Sequence, residues 1–242
     1  LTLDQTTFTC ADAGTNTVIL TATDAAGNSA TATAIVTVED NTAPIASTQN
    51  VTVSLDASGA ASMTAALIDN GSTDNCGITS LTLDQTTFTC SDAGTNTVTL
   101  TATDAAGNSA SQTAIVTVED NTAPTVLTQN VTVSLDASGN VSITTALIDN
   151  GSTDNCGITS LTLDQATFTC AEAGTNTITL TATDAAGNSS SQTAIVTVED
   201  STAPIVSTQN VTVSLDASGN ASITTALIDN GSTDNCGITS LS

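Results

Sequence analysis

The feature that most constrains this chain is an internal repeat of 80 residues. The string LTLDQ starts at Leu1, Leu81 and Leu161, and ALIDNGSTDNCGITS ends at Ser80, Ser160 and Ser240. Segments 81–160 and 161–240 differ at nine of 80 positions, mostly conservatively, as in Val98/Ile178 and Asp92/Glu172. A period of this length is too long for a helical or β-helical solenoid unit. It suffices for a small domain with its own core, so the sequence predicts beads on a string.

Within each period the apolar residues alternate. Val131, Val133 and Leu135 share one face of their segment, and Val98, Leu100 and Ala102 share one face of theirs, leaving Thr97, Thr99, Thr101 and Thr103 outside. In 113–120 the inward set is Ile115 or Val116, ending on Val118. Period-two alternation rich in Val, Ile and Thr, punctuated by ASGN, DNG, DAGTN and DAAGN, marks antiparallel strands. For one period the expected strands are Pro124–Leu135 with a break near Thr128, Val141–Ile148, Ile158–Leu163, Ala166–Cys170, Thr175–Thr183 and Ser190–Val198. The expected fold is all-β: tandem immunoglobulin-like antiparallel sandwiches of about seven strands each. One aromatic per period (Phe8, Phe88, Phe168) implies a thin aliphatic core. The domain frame lies best between the TAP segments, giving a C-terminal part in 1–40, complete repeats in 41–120 and 121–200, and an N-terminal part in 201–242.

Composition excludes several functions. The chain has no Lys, Arg or His and carries 24 acidic residues. Nucleic acid needs cationic contacts, anionic lipid repels such a surface, and no apolar run is long enough to span a membrane. General acid–base chemistry would rest on carboxylates alone, which argues against an enzyme. Carbohydrate binding would lack Trp and Tyr platforms. Ice binding by the Thr rows would need a flatter sheet than a twisted sandwich supplies. Sequons such as Asn50-Val51-Thr52 and Asn70-Gly71-Ser72 are weak signals in so Asn- and Thr-rich a chain.

The cysteines follow the period at 10/90/170 and 76/156/236. Two per small domain suggest structural disulfides and an oxidising compartment, against the alternative of free buried thiols. The expected pairs are Cys76 with Cys90 and Cys156 with Cys170, on the view that the TTFTC strand returns to the end of the domain where the chain enters. Cys10 and Cys236 then await partners outside the fragment.

That same pole should collect carboxylates. Glu39 and Asp40 arrive with the linker, Asp69 and Asp74 with one loop, and Asp104 with another, while Asn75 and Asn108 offer carbonyl oxygens. The second joint repeats this with Glu119, Asp120, Asp149, Asp154 and Asp184, and the third with Glu199, Asp200, Asp229 and Asp234. No basic residue exists to neutralise them, so a hard cation with oxygen ligands, calcium before magnesium, is the expected structural cofactor. Asp- and Asn-based turn chemistry is the competing reading, and it is the preferred one for the SLDASG turns at Asp56, Asp136 and Asp216.

Three phrases in order, Asp74–Gly77 (DNCG), Thr101–Asn108 (TATDAAGN) and Thr117–Pro124 (TVEDNTAP), resemble the hyalin-repeat (HYR) family. The resemblance implies immunoglobulin-like extracellular adhesion modules. One departure matters: the family's second cysteine falls near the start of the last strand, where this chain has Ser111-Gln112. The family's disulfide topology therefore does not carry over. Near-identical, Lys-free, Thr/Asp-rich arrays also look like the SprB-type surface adhesins of gliding Bacteroidota, which implies a bacterial cell-surface filament serving adhesion or gliding motility. The leading expectation is thus a stalk whose partners are its own neighbouring repeats, with identical chains as further partners in a filament, and the alternative is a ligand-binding module.

Overall fold

The computed structural model describes all residues, Leu1–Ser242. The chain folds as two compact units, Leu1–Asn121 and Thr122–Ser242.

The first unit contains β1 (Thr2–Leu3), β2 (Gly14–Thr23), β3 (Ser29–Val38), β4 (Val51–Ser54), β5 (Ala60–Ser62), the short helix α1 (Ala65–Ile68), β6 (Ile78–Leu83), β7 (Thr87–Thr89), β8 (Gly94–Asp104) and β9 (Ser109–Glu119). Strands β1-β2-β3 form one sheet. The following repeat is a sandwich of a four-stranded sheet, in the order β4-β9-β8-β6, and a two-stranded sheet, β5-β7. The second unit repeats the sandwich with β10 (Val131–Ser134), β11 (Asn140–Ser142), α2 (Thr145–Ile148), β12 (Ile158–Leu163), β13 (Thr167–Thr169), β14 (Gly174–Asp184) and β15 (Ser189–Glu199), and ends with α3 (Thr225–Ile228). Its sheets are β10-β15-β14-β12 and β11-β13.

The alternation places the core. Val98, Leu100 and Ala102 on β8 are fully buried, Phe88, Leu55, Met63 and Ile68 are buried as well, and Val116 and Val118 resolve the inward set of β9 in favour of Val116. In the second sandwich, Leu135, Ile143, Ile148, Phe168, Ile178, Leu180, Ala194, Val196 and Val198 make one cluster. Each such Val or Leu contributes roughly 1.5–3 kcal/mol on burial.

Two expectations need correction. Val141–Ile148 is not one strand: after β11 the chain turns into α2. Ile143 and Ile148 are both buried, yet residues an odd number apart point to opposite faces of a strand. A helical turn brings both inward. The sandwich is also not wholly antiparallel. The expected break near Thr128 is real, because Thr125 and Thr128 bridge to Thr153 and Asp149 before the chain switches sheets. It then lays β10 parallel to β15, Val131 opposite Val196. Strands β4 and β9 do the same, Val51 opposite Val116.

Candidate metal centre

Strand direction decides which loops meet. In the sandwich of 41–120, β8 runs toward the pole where the chain enters and ends on Asp104, which sits opposite Ile78 at the start of β6. The linker reaches this pole through Asp40. Bridges between Ile45 and Thr73 and between Thr48 and Asp69 fasten the acidic loop beside it. Carboxylate oxygens of Asp40, Asp74 and Asp104 consequently lie within 4.8 Å of one another.

Each carboxylate is aimed by its own turn. Asp104 is 3% exposed. Its Oδ1 accepts from the backbone N–H of Gly107 at 2.7 Å and of Asn108 at 2.8 Å, and its Oδ2 accepts from Asn108 Nδ2 at 2.7 Å. Burial works to raise its pKa, but the Asn108 amide and the backbone donors hold it below the ordinary value. Asn108 Nδ2 also donates to the Asp40 carbonyl at 2.9 Å, tying the loop to the linker. Asp74 Oδ2 accepts from the Cys76 N–H at 2.8 Å, and Asn75 Nδ2 reaches Asp40 Oδ1 at 3.2 Å. The remaining oxygens, Asp40 Oδ2 and Asp74 Oδ1, are buried and receive no hydrogen bond. Orphaned acceptors beside a third carboxylate, with no cationic side chain in the chain, match the donor set of a hard cation.

The other expected ligands sort cleanly. Asp69 Oδ1 accepts from Ser72 N–H at 3.1 Å and from its hydroxyl, and that hydroxyl chiefly holds its carboxyl below the ordinary range. It serves its turn. Glu39 is exposed and outside the cluster. Asn75 and Asn108 enter as amide donors. Asp56 closes its hairpin, accepting from Ser58 and Ala60 N–H at 2.8 and 3.1 Å.

In the second unit Asp154 and Asp184 approach within the same 4.8 Å. Asp154 Oδ2 accepts from Cys156 N–H at 2.9 Å, and Asp184 Oδ1 from Asn188 N–H at 2.8 Å. Asp149 is committed to Ser152, as Asp69 is to Ser72. Asp120, at the end of the first unit, is buried, and Glu119 is exposed. Further along, Asp234 Oδ2 accepts from Cys236 N–H at 3.0 Å while its Oδ1 is buried without a partner. Asp229 is held by Ser232. Asp200 accepts from Thr202 N–H at 3.0 Å, and both it and Glu199 are exposed.

The disulfide pairing differs from expectation. All six cysteines are bonded, but Cys76 pairs with Cys10 and Cys170 with Cys236, each pair 66 residues apart. The error lay in one strand's direction. Segment 87–90 does not return to the entry pole. It crosses to the other sheet and continues away, with Thr89 opposite Ala60 and Cys90 Sγ 3.7 Å from the Gly59 carbonyl oxygen. Cys76 and Cys90 therefore sit at opposite ends of one sandwich. Cys10, the equivalent of Cys90 in the preceding repeat, lies at that repeat's exit end, and its Sγ is 3.5 Å from the Asn75 carbonyl oxygen of the next. A 3-10 turn, Cys10–Asp12, presents it, capped by Asp12 Oδ2 accepting from Thr9 N–H at 2.8 Å. The bond crosses the joint, two residues along the chain from Asp74.

No protein-family model matches the chain, and no curated protein matches it in sequence. Among solved structures it is similar to the protocadherin gammaB7 EC3-6 cis-dimer structure at 18% identity, covering 86% of this chain and 63% of that one, with a TM-score of 0.35. It is similar to human mucin-like protocadherin EC1-2 at 13% identity, over 65% of this chain and 98% of that one, at a TM-score of 0.36. An endo-fucoidan hydrolase of glycoside hydrolase family 107 matches at 18% identity, over 78% and 34% of the two chains, at a TM-score of 0.25. At such scores none of these likenesses identifies a family or a function.

Proposed function

We propose that this chain is a segment of an extracellular stalk or filament, a spacer in a surface adhesin whose joints are stiffened by calcium and by disulfides. The observation that carries the reading is the coincidence, at one joint, of a bond linking successive repeats and three converging carboxylates. A binding or catalytic module would gather its distinctive groups in a cleft. Here they gather where one repeat meets the next, and near-identical repeats keep no individual site. The disulfides support an oxidising, extracellular compartment, and the HYR-like and SprB-type resemblances agree with a bacterial cell surface and with adhesion or gliding.

Asp40, Asp74 and Asp104 would hold the cation, which supplies positive charge to orphaned oxygens and fixes the linker to two loops of the following repeat. By the period, Asp154 and Asp184 are the second unit's equivalents of Asp74 and Asp104. Domain frames at 41–120 and 121–200 follow, with Asp40, Asp120 and Asp200 as joint residues.

Calcium chelation tests this. Removing the ion should lower the melting temperature and broaden the small-angle scattering profile toward flexibly linked beads. An unchanged melt together with an unchanged profile refutes the calcium joint.

A further inference from the structure

We infer that tension along this chain bypasses the linkers at 39–44 and 199–204, and is carried past them by the Cys10–Cys76 and Cys170–Cys236 bonds. The inference deepens the stalk reading and rests on it for its purpose, while the load path itself follows from connectivity. Cys10 and Cys76 close a covalent loop of 66 residues of separation. That loop contains β2, β3 and the whole linker from Glu39 to Pro44. A pull on the chain runs from residues 1–10 across the S–S bond to Cys76 and onward. Nothing between Cys10 and Cys76 is stretched. Cys170 and Cys236 do the same to β14, β15 and the linker containing Pro204 in the second unit.

The arrangement has a mechanical consequence. A joint held only by a linker and a cation opens when force straightens the linker. Here the linker is bypassed, and Asp40 and Asp74 lie inside the bypassed loop, so the joint keeps its geometry under load. The two closed loops do not overlap: Cys76 precedes Cys170, and each locks its own joint independently. At about 3.5 Å per stretched residue, each bond withholds roughly 230 Å of contour length. A disulfide between Cys76 and Cys90 would withhold only about 50 Å and leave the linker in the load path. The cross-joint pairing therefore limits extension at these two joints, which resist opening as long as their bonds stay oxidised.

The test is single-molecule stretching of the full 242-residue chain held at its two ends in oxidising buffer, comparing it with the Cys10→Ser/Cys76→Ser double variant. The fully stretched length should grow by about 230 Å in the variant. This readout reports connectivity, so a variant that fails to fold still answers. A gain of about 50 Å, or none, overturns the inference. As a second measurement, a protease site placed between Asn41 and Thr42 and then cut should leave the oxidised tether intact until a dithiol reductant is added, and rupture on cutting alone overturns it. The stalk reading is judged separately by the chelation experiment, whose outcome does not enter this length.

Discussion

The effect of Asp74→Asn should depend on calcium. Carboxylate oxygens of Asp40 and Asp74 lie within 4.8 Å, and two unit charges at that distance repel by between about 1 and 3.5 kcal/mol as the effective dielectric falls from that of water to about 20. Asp104 adds repulsion of the same sign. In chelator the variant loses this penalty, and an amide oxygen can still accept from the Cys76 N–H. The apo variant should therefore be more stable than the apo wild type by about 1–3 kcal/mol, or several degrees in the first unit's transition. Calcium shifts the comparison toward the wild type by about 2.3 kcal/mol, which reverses the order wherever the relieved repulsion is smaller than that. An ion at about a hundredfold excess over its Kd stabilises the wild type by about 2.7 kcal/mol. Losing a carboxylate that weakens binding about a hundredfold leaves about 0.4 kcal/mol of that. Paired thermal melts in EDTA and in millimolar calcium read the shift. If Asp74→Asn destabilises equally in the two buffers, Asp74 is a turn former for Cys76 and the cation argument fails.

Three further perturbations check the fold and the joints. Phe88→Ala empties the one aromatic position of its core, where Phe88 is 1% exposed; a loss of about 3–5 kcal/mol is expected from denaturant midpoints, and a loss under 1 would mean the core is not packed around it. Gly139 has φ +74°, and a Cβ there would lie 2.6 Å from Cys170 Sγ and 2.8 Å from the Asn235 carbonyl oxygen. Gly139→Ala should cost about 1–3 kcal/mol and slow closure of Cys170–Cys236 in a thiol-trapping assay, whereas a neutral melt with normal closure would contradict the packing. Asp56, Asp69, Asp104 and Asp229 have pKa values lowered from the ordinary 3.8 by hydrogen bonds that outweigh any burial. A lowered folded pKa means stability that is full above the ordinary value and is lost as pH falls through the folded one, so in calcium, which offsets the repulsion at the joint, urea midpoints should drop below about pH 3.8 and not rise.

The sequence by itself determined the repeat, the all-β class and the buried faces. Alternation of Val98, Leu100 and Ala102 with threonines is a local property, and a strand exposes it directly. It also nominated the acidic joint: Asp40, Asp74 and Asp104 follow from knowing which way three strands run. What it could not separate was Asp74 from Asp69, because both stand in the same loop and only the hydroxyl of Ser72 decides that Asp69 belongs to its own turn. Only the tertiary structure decided the disulfides. Whether segment 87–90 turns back or crosses to the other sheet depends on its pairing with Ala60–Ser62, a contact between residues far apart in the chain. That pairing carries Cys90 to the exit pole, and by the same geometry sends Cys10 across the joint to Cys76. A period can be read from residues in order, but the partner of a cysteine is fixed by where two distant strands end.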